Sequence, residues 1–97
     1  MSIMGSSGNK SAESGIKGLY VIVDAGVVGE RDIISVTHAV LTGGASTIQF
    51  RDKLSDKGDV LSIARDMRQL CNSFGATFIV NDHIDLAIAS GADGVHL

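Results

Sequence analysis

From Gly18 onward the chain alternates short β-branched runs with longer stretches in which apolar residues recur every three or four positions. That alternation is the pattern of βα units on a parallel sheet. Leu19–Val23 (LYVIV) predicts a first buried strand. Asp32 stands where a helix N-cap is wanted, ahead of a stripe formed by Ile33, Val36, Thr37, Val40 and Leu41 and ended by Gly43 and Gly44. Ser46–Arg51 predicts the second strand. Lys57–Phe74 predicts the second helix, with Val60, Ile63, Ala64, Met67, Leu70, Cys71 and Phe74 along one face. Thr77–Val80 predicts a third strand and His83–Ser90 a short helix with Ile84, Ala87 and Ile88 inward; Gly94–Leu97 begins a fourth strand. Gly44-Ala45, Gly75-Ala76 and Gly91-Ala92 each follow a helix and lead into a strand, where a glycine readily takes the left-handed conformation that ends a helix.

The first seventeen residues hold three Gly and five Ser with few apolar side chains, too little to offset the entropy of ordering them. Residues 1–17 are therefore expected to be a flexible tail, and residues 18–97 to be the folded part.

The order β-α-β-α-β-α-β fits an open doubly wound sheet or the first half of a (β/α)₈ TIM barrel. The first strand is followed by Asp24-Ala25-Gly26-Val27-Val28-Gly29, which is neither the dinucleotide-binding Gly-x-Gly-x-x-Gly nor a P-loop. Instead, polar residues gather at the C-terminal ends of successive strands: Asp24, then Gln49, Arg51 and Lys53, then Asn81 and Asp82, then His96. Barrel enzymes build their active sites on that rim.

Composition narrows the partners. Hydrophobic residues make up 44% and charged residues 20% of the 97-residue chain, as in a folded domain. Eight Lys and Arg against eleven Asp and Glu give a net charge of −3, so no diffuse positive field attracts a nucleic acid or an anionic membrane. Any anion must be held by a local site. A single cysteine forms no internal disulfide and no zinc spacing, which points to a reducing compartment, the cytoplasm. Neither a signal peptide nor a membrane span is legible.

Side chains of Thr47–Lys53 alternate faces, so Gln49, Arg51 and Lys53 share one side and the apolar Ile48 and Phe50 turn to the helices. An amide and two cations then face the inside of the sheet's curve, where charge needs a partner or a bound anion. Arg supplies a planar fork and Lys a point charge, a combination suited to phosphate oxygens. Ion pairs with Asp24, Asp52 or Asp82 satisfy the same cations equally well. Asp82, with Asp85 three residues on, has the spacing of a capping box; as a hard oxygen ligand it also suits Mg²⁺, which takes one or two carboxylates plus phosphate oxygens. His96 is either a packed imidazole or a rim donor. His38 and His83 read as solvated, and Cys71, within an apolar stripe, as a small hydrophobe.

Taken together, Leu19–Asp24, Gly43-Gly44-Ala45, Gln49-Phe50-Arg51-Asp52-Lys53, Phe78–Asp82, Asp85-Leu86-Ala87 and Gly91–Leu97 resemble the N-terminal half of the thiamine phosphate synthase family over residues 19–97. His83 and the short Ser55-Asp56 loop depart mildly from that pattern. The resemblance implies a (β/α)₈ barrel transferase that joins hydroxymethylpyrimidine diphosphate to a thiazole phosphate and releases pyrophosphate. It implies that Gln49 meets the pyrimidine, Arg51 and Lys53 hold the diphosphate and serve catalysis, Asn81 binds the same substrate, and Asp82 ligates Mg²⁺. The family pattern continues with a second metal-binding Asp, a Ser, a phosphate loop with another Lys and a Gly-rich phosphate cup, none of which lies in these residues. The chain is thus expected to be a fragment, inactive alone, acting on small molecules and compatible with an oligomer. The other readings are a thiazole tautomerase or another phosphate-binding barrel, against which the complete Gln49, Arg51, Lys53, Asn81 and Asp82 set argues, and a non-catalytic α/β module.

Overall fold

The computed structural model describes residues 2–4, 18–28, 32–53 and 57–97. Its elements are β1 (Ser2–Met4), β2 (Tyr20–Asp24), α1 (Ala25–Val28), α2 (Ile33–Thr42), β3 (Thr47–Arg51), α3 (Lys57–Ser73), β4 (Thr77–Asn81), α4 (Ile84–Ser90) and β5 (Gly94–His96). The strands form one sheet in chain order, with β1 antiparallel to β2 and the rest parallel. This sequential order lacks the reversal that creates the switch point of a doubly wound sheet.

Strand alternation sorts the sheet into two faces. Val21 and Val23 of β2, Ile48 and Phe50 of β3, and Phe78 and Val80 of β4 are all buried on the helix side. Against them pack Leu41 from α2, and Val60, Ala64, Met67 and Cys71 from α3. The α3 stripe follows the three- and four-residue steps of its sequence. Its last member, Phe74, departs from that expectation: it is exposed and meets His38 edge to face, with ring centroids 5.5 Å apart.

Local signals set the ends. The Asp32 carboxylate accepts from the Ile34 amide at 3.0 Å and from the Ser35 hydroxyl at 3.1 Å, capping α2 as its position foretells. Gly44, Gly75 and Gly91 all have positive φ, at 111°, 69° and 75°. The following alanine donates five residues back in each case: Ala45 to Val40, Ala76 to Cys71 and Ala92 to Ala87. The repeated Gly-Ala pair is therefore one helix-ending device used three times.

Three further expectations are corrected, and one element goes unannounced. Within the stretch expected to be a tail, Ser2–Met4 pair with β2, Ser2 opposite Ile22 and Met4 opposite Tyr20; residues 5–17 lie outside the described residues. Ala25–Val28 make a helical turn that no periodicity announced. On α4, Ile84 and Ile88 are 53% and 76% exposed, because this short helix lies on α3 and β4 through Ala87 and Ser90. Ser90 is tolerated there because its hydroxyl donates to the Ala87 carbonyl. Finally, Asp82 does not cap α4: the N-cap is His83, which makes no side-chain capping bond.

Candidate functional site

The face of the sheet turned away from the helices carries Tyr20, Asp24, Gln49, Arg51, Asn81 and His96, all on the alternate positions left by the buried residues. Register arranges them in rows. Asp24 lies opposite Arg51, and Asn81 opposite His96, at the C-terminal ends of the strands. One row deeper Gln49 lies between Ile22 and Ile79.

Gln49 is only 3% exposed, so its carboxamide must find partners in the protein. Its Nε2 donates to the Tyr20 hydroxyl at 2.6 Å, and its Oε1 accepts from Asn81 Nδ2 at 2.9 Å. The structure thus joins two residues singled out from sequence, Gln49 and Asn81, and adds Tyr20, which was not. The signal for Tyr20 was present in the alternation: it shares a face with Asp24, two steps of two along β2.

Arg51 Nε lies 3.6 Å from Asp24 Oδ2, and Lys53 Nζ 3.6 Å from Asp82 Oδ2. The ion-pair alternative for these cations is therefore the arrangement in this structure. Both contacts are longer than a charge-assisted hydrogen bond of about 2.8 Å, and Arg51 and Lys53 are 44% and 52% exposed. Such pairs are worth about 0–1 kcal/mol, so an incoming anion displaces them at little cost. Asp24 is further tied through Oδ1, which accepts from the Gly26 amide at 2.8 Å.

Asp82 has φ of 67° and is the one non-glycine residue with positive φ among the described residues. Its amide donates to the His96 carbonyl at 2.7 Å, which fixes the turn after β4 to the end of β5. This strained turn places its carboxylate beside Lys53 on the rim. Among the described residues no group of three or more His, Cys, Asp and Glu is placed to hold a metal ion.

A cavity of about 600 Å³ opens beside this rim between the beginnings of α3 and α4, bounded by Asp52, Lys53, Val60, Leu61, Asp82 and Leu86 among others. It shares Lys53 and Asp82 with the rim, but Gln49, Arg51 and Asn81 do not border it, so the polar cluster belongs to the open inner face. Cys71, in the last turn of α3, has its thiol pushed up to about 12, mainly by burial and then by Asp93. That excludes a reactive thiolate near neutral pH. No described helix is long and apolar enough to cross a membrane.

Similar proteins are found both by sequence and by fold. The chain is 44% identical over 82 residues to a thiamine-phosphate synthase of Chromobacterium violaceum, covering 84% of this chain and 39% of that protein. It is 44% identical over 80 residues to one of Methanospirillum hungatei, covering 82% and 39%. A solved structure, the thiamine phosphate pyrophosphorylase of Pyrococcus furiosus, superposes with a TM-score of 0.73 at 37% identity, covering 80% of this chain and 37% of that one. The chain thus spans less than two-fifths of the length of these relatives. Residues 19–97 match the thiamine monophosphate synthase family model, and the chain belongs to that family.

Proposed function

We propose that residues 18–97 are the first half of a (β/α)₈ barrel and supply the pyrimidine diphosphate side of a thiamine-phosphate synthase. The observation that carries this reading is the gathering of two kinds of group at one end of the sheet: a hydrogen-bonded Gln49–Asn81 amide pair on the inner face, and two cations at the strand ends in weak, displaceable ion pairs, Arg51 with Asp24 and Lys53 with Asp82. An aminopyrimidine diphosphate has the matching sequence of a donor-acceptor ring edge followed by a polyanion.

In this reading Gln49 and Asn81 orient the ring, and Arg51 and Lys53 exchange Asp24 and Asp82 for diphosphate oxygens. The C–O bond between the pyrimidine methylene and the diphosphate breaks with its electron pair leaving on oxygen, and a C–N bond forms to the thiazole nitrogen. The electron-rich aminopyrimidine stabilises the developing cationic methylene, so no strong protein base is required. Arg51 and Lys53 meet charge that grows as the bond breaks, which makes them catalytic as well as binding groups. Asp82 fits one protein ligand of Mg²⁺, being half exposed, oxygen-bearing and beside Lys53, one of the two cations proposed to meet the anion. The metal would add charge neutralisation of the leaving diphosphate.

The test is a chimera in which residues 19–97 replace the aligned segment of the Chromobacterium violaceum relative. Supplied with hydroxymethylpyrimidine diphosphate, thiazole phosphate and Mg²⁺, it is expected to release pyrophosphate and form thiamine phosphate. A folded chimera that forms neither refutes the proposal.

A further inference from the structure

We infer that Tyr20 is a positioning residue: its hydroxyl fixes the Gln49 carboxamide so that the amide presents a set donor and acceptor to the ligand ring. The inference rests on the synthase reading above for the identity of that ring, but its physical basis is the hydrogen-bond chain itself.

A carboxamide has two N–H donors and an oxygen with two lone pairs. In Gln49 the Tyr20 oxygen takes one N–H, and Asn81 Nδ2–H takes one lone pair. One donor and one acceptor remain on the same planar group. An exocyclic amine beside a ring nitrogen, as in an aminopyrimidine, offers the complementary acceptor and donor. A tyrosine hydroxyl can donate or accept, so Tyr20 acts by holding the group: with Nε2 at 2.6 Å from the Tyr20 hydroxyl and Oε1 at 2.9 Å from Asn81 Nδ2, the carboxamide is held at both ends and its remaining donor and acceptor keep one direction.

Position in the fold suits this role. Tyr20 starts β2, opposite Thr47 and thus two residues before Gln49 in the register of β3. Its side chain reaches along the inner face toward Gln49 while the strand end at Asp24 is used for Arg51. Tyr20 itself lies deeper than the cations, where it acts on the ligand through Gln49.

The experiment has two arms. In the ¹⁵N-labelled 97-residue chain, the two glutamines are Gln49 and the exposed Gln69. The side-chain amide pair of Gln49 is expected well displaced from that of Gln69 in the NMR spectrum, and Tyr20→Phe, which keeps the ring and removes only the hydroxyl, is expected to shift it back toward Gln69. Coincident pairs in the unaltered chain, or no shift on substitution, overturn the inference.

In the chimera, Tyr20→Phe is expected to raise KM for the pyrimidine substrate about ten-fold, the effect of leaving one buried polar group without its partner, while kcat stays within about three-fold. In a Gln49→Ala background the same substitution is expected to add nothing, because Tyr20 acts through Gln49. An unchanged KM, or an equal effect with and without Gln49, overturns it. An unaltered chimera that makes no product refutes the synthase reading instead, and the amide spectrum then decides the positioning role alone.

Discussion

Substitutions at Asp82 separate a strained functional turn from an ordinary helix cap. Asp82 has φ of 67°, its charged contact is Lys53 at 3.6 Å, and the cap position of α4 belongs to His83. A left-handed non-glycine residue costs about 1 kcal/mol. Asp82→Gly removes that strain; against it stand an exposed ion pair worth under about 1 kcal/mol and roughly 0.5–1 kcal/mol of added unfolded-chain entropy. The net change is expected within about 1 kcal/mol of zero. Asp82→Ser keeps the strain, loses the same ion pair and adds no unfolded-chain entropy, so it is expected up to about 0.5 kcal/mol less stable than Asp82→Gly. In a domain of this size that is up to about 2–4 °C in Tm. A capping residue gives the opposite order, since Ser caps better than Gly. Thermal melts of the two variants decide the matter, and a Ser variant at least as stable as the Gly variant refutes the strain argument. Asp82→Asn, which tolerates the same conformation, is expected to leave Tm in place while lowering turnover of the chimera about 10² to 10³-fold. Normal turnover by that variant refutes the role proposed for the carboxylate.

Arg51→Ala and Lys53→Ala in the chimera are each expected to lower kcat by about 10² to 10³-fold, whereas Gln49→Ala is expected mainly to raise KM; steady-state kinetics separates the two. Met67, fully buried in α3, is expected to cost about 2–5 kcal/mol when truncated to Ala, while Ile88→Ala, at a 76% exposed site, changes urea-melt stability by less than about 0.5 kcal/mol. Cys71 titrates higher in the fold than its ordinary 9.0, at about 12, so its contribution to stability is full below pH 9 and is lost as pH rises from there toward 12. Urea melts at pH 8 and pH 10 are expected to show that loss, and Cys71→Ser is expected to abolish the Cys71 part of it.

The repeating units of the sheet were legible because each carries its own period: two along β2, β3 and β4, three to four along α2 and α3. The Gly-Ala junctions were legible because a positive φ nearly demands glycine. Asp82 shows the opposite case, a left-handed residue whose type also suits a cap, so spacing alone suggested a capping role, whereas the N-cap position falls to His83, which makes no side-chain capping bond. Ile84, Ala87 and Ile88 form a plausible stripe by themselves, and of these only Ala87 is buried; the packing of α4 on α3 puts Ser90 inward beside it and leaves both isoleucines exposed. β1 is too short for a period to register. At the site, alternation placed Gln49 and Arg51 on one face, but the link from Tyr20 to Gln49 spans 29 residues and exists only through strand register.

If the inner face of β3 and β4 binds a pyrimidine diphosphate, a crystal structure of the chimera with hydroxymethylpyrimidine diphosphate will show it there. The expected result has diphosphate oxygens within hydrogen-bond distance of Arg51 and Lys53, the ring amine or ring nitrogen on Gln49, and the Arg51–Asp24 and Lys53–Asp82 contacts opened. A bound ligand that leaves both ion pairs closed and makes no contact with Gln49 or Asn81 contradicts the claim.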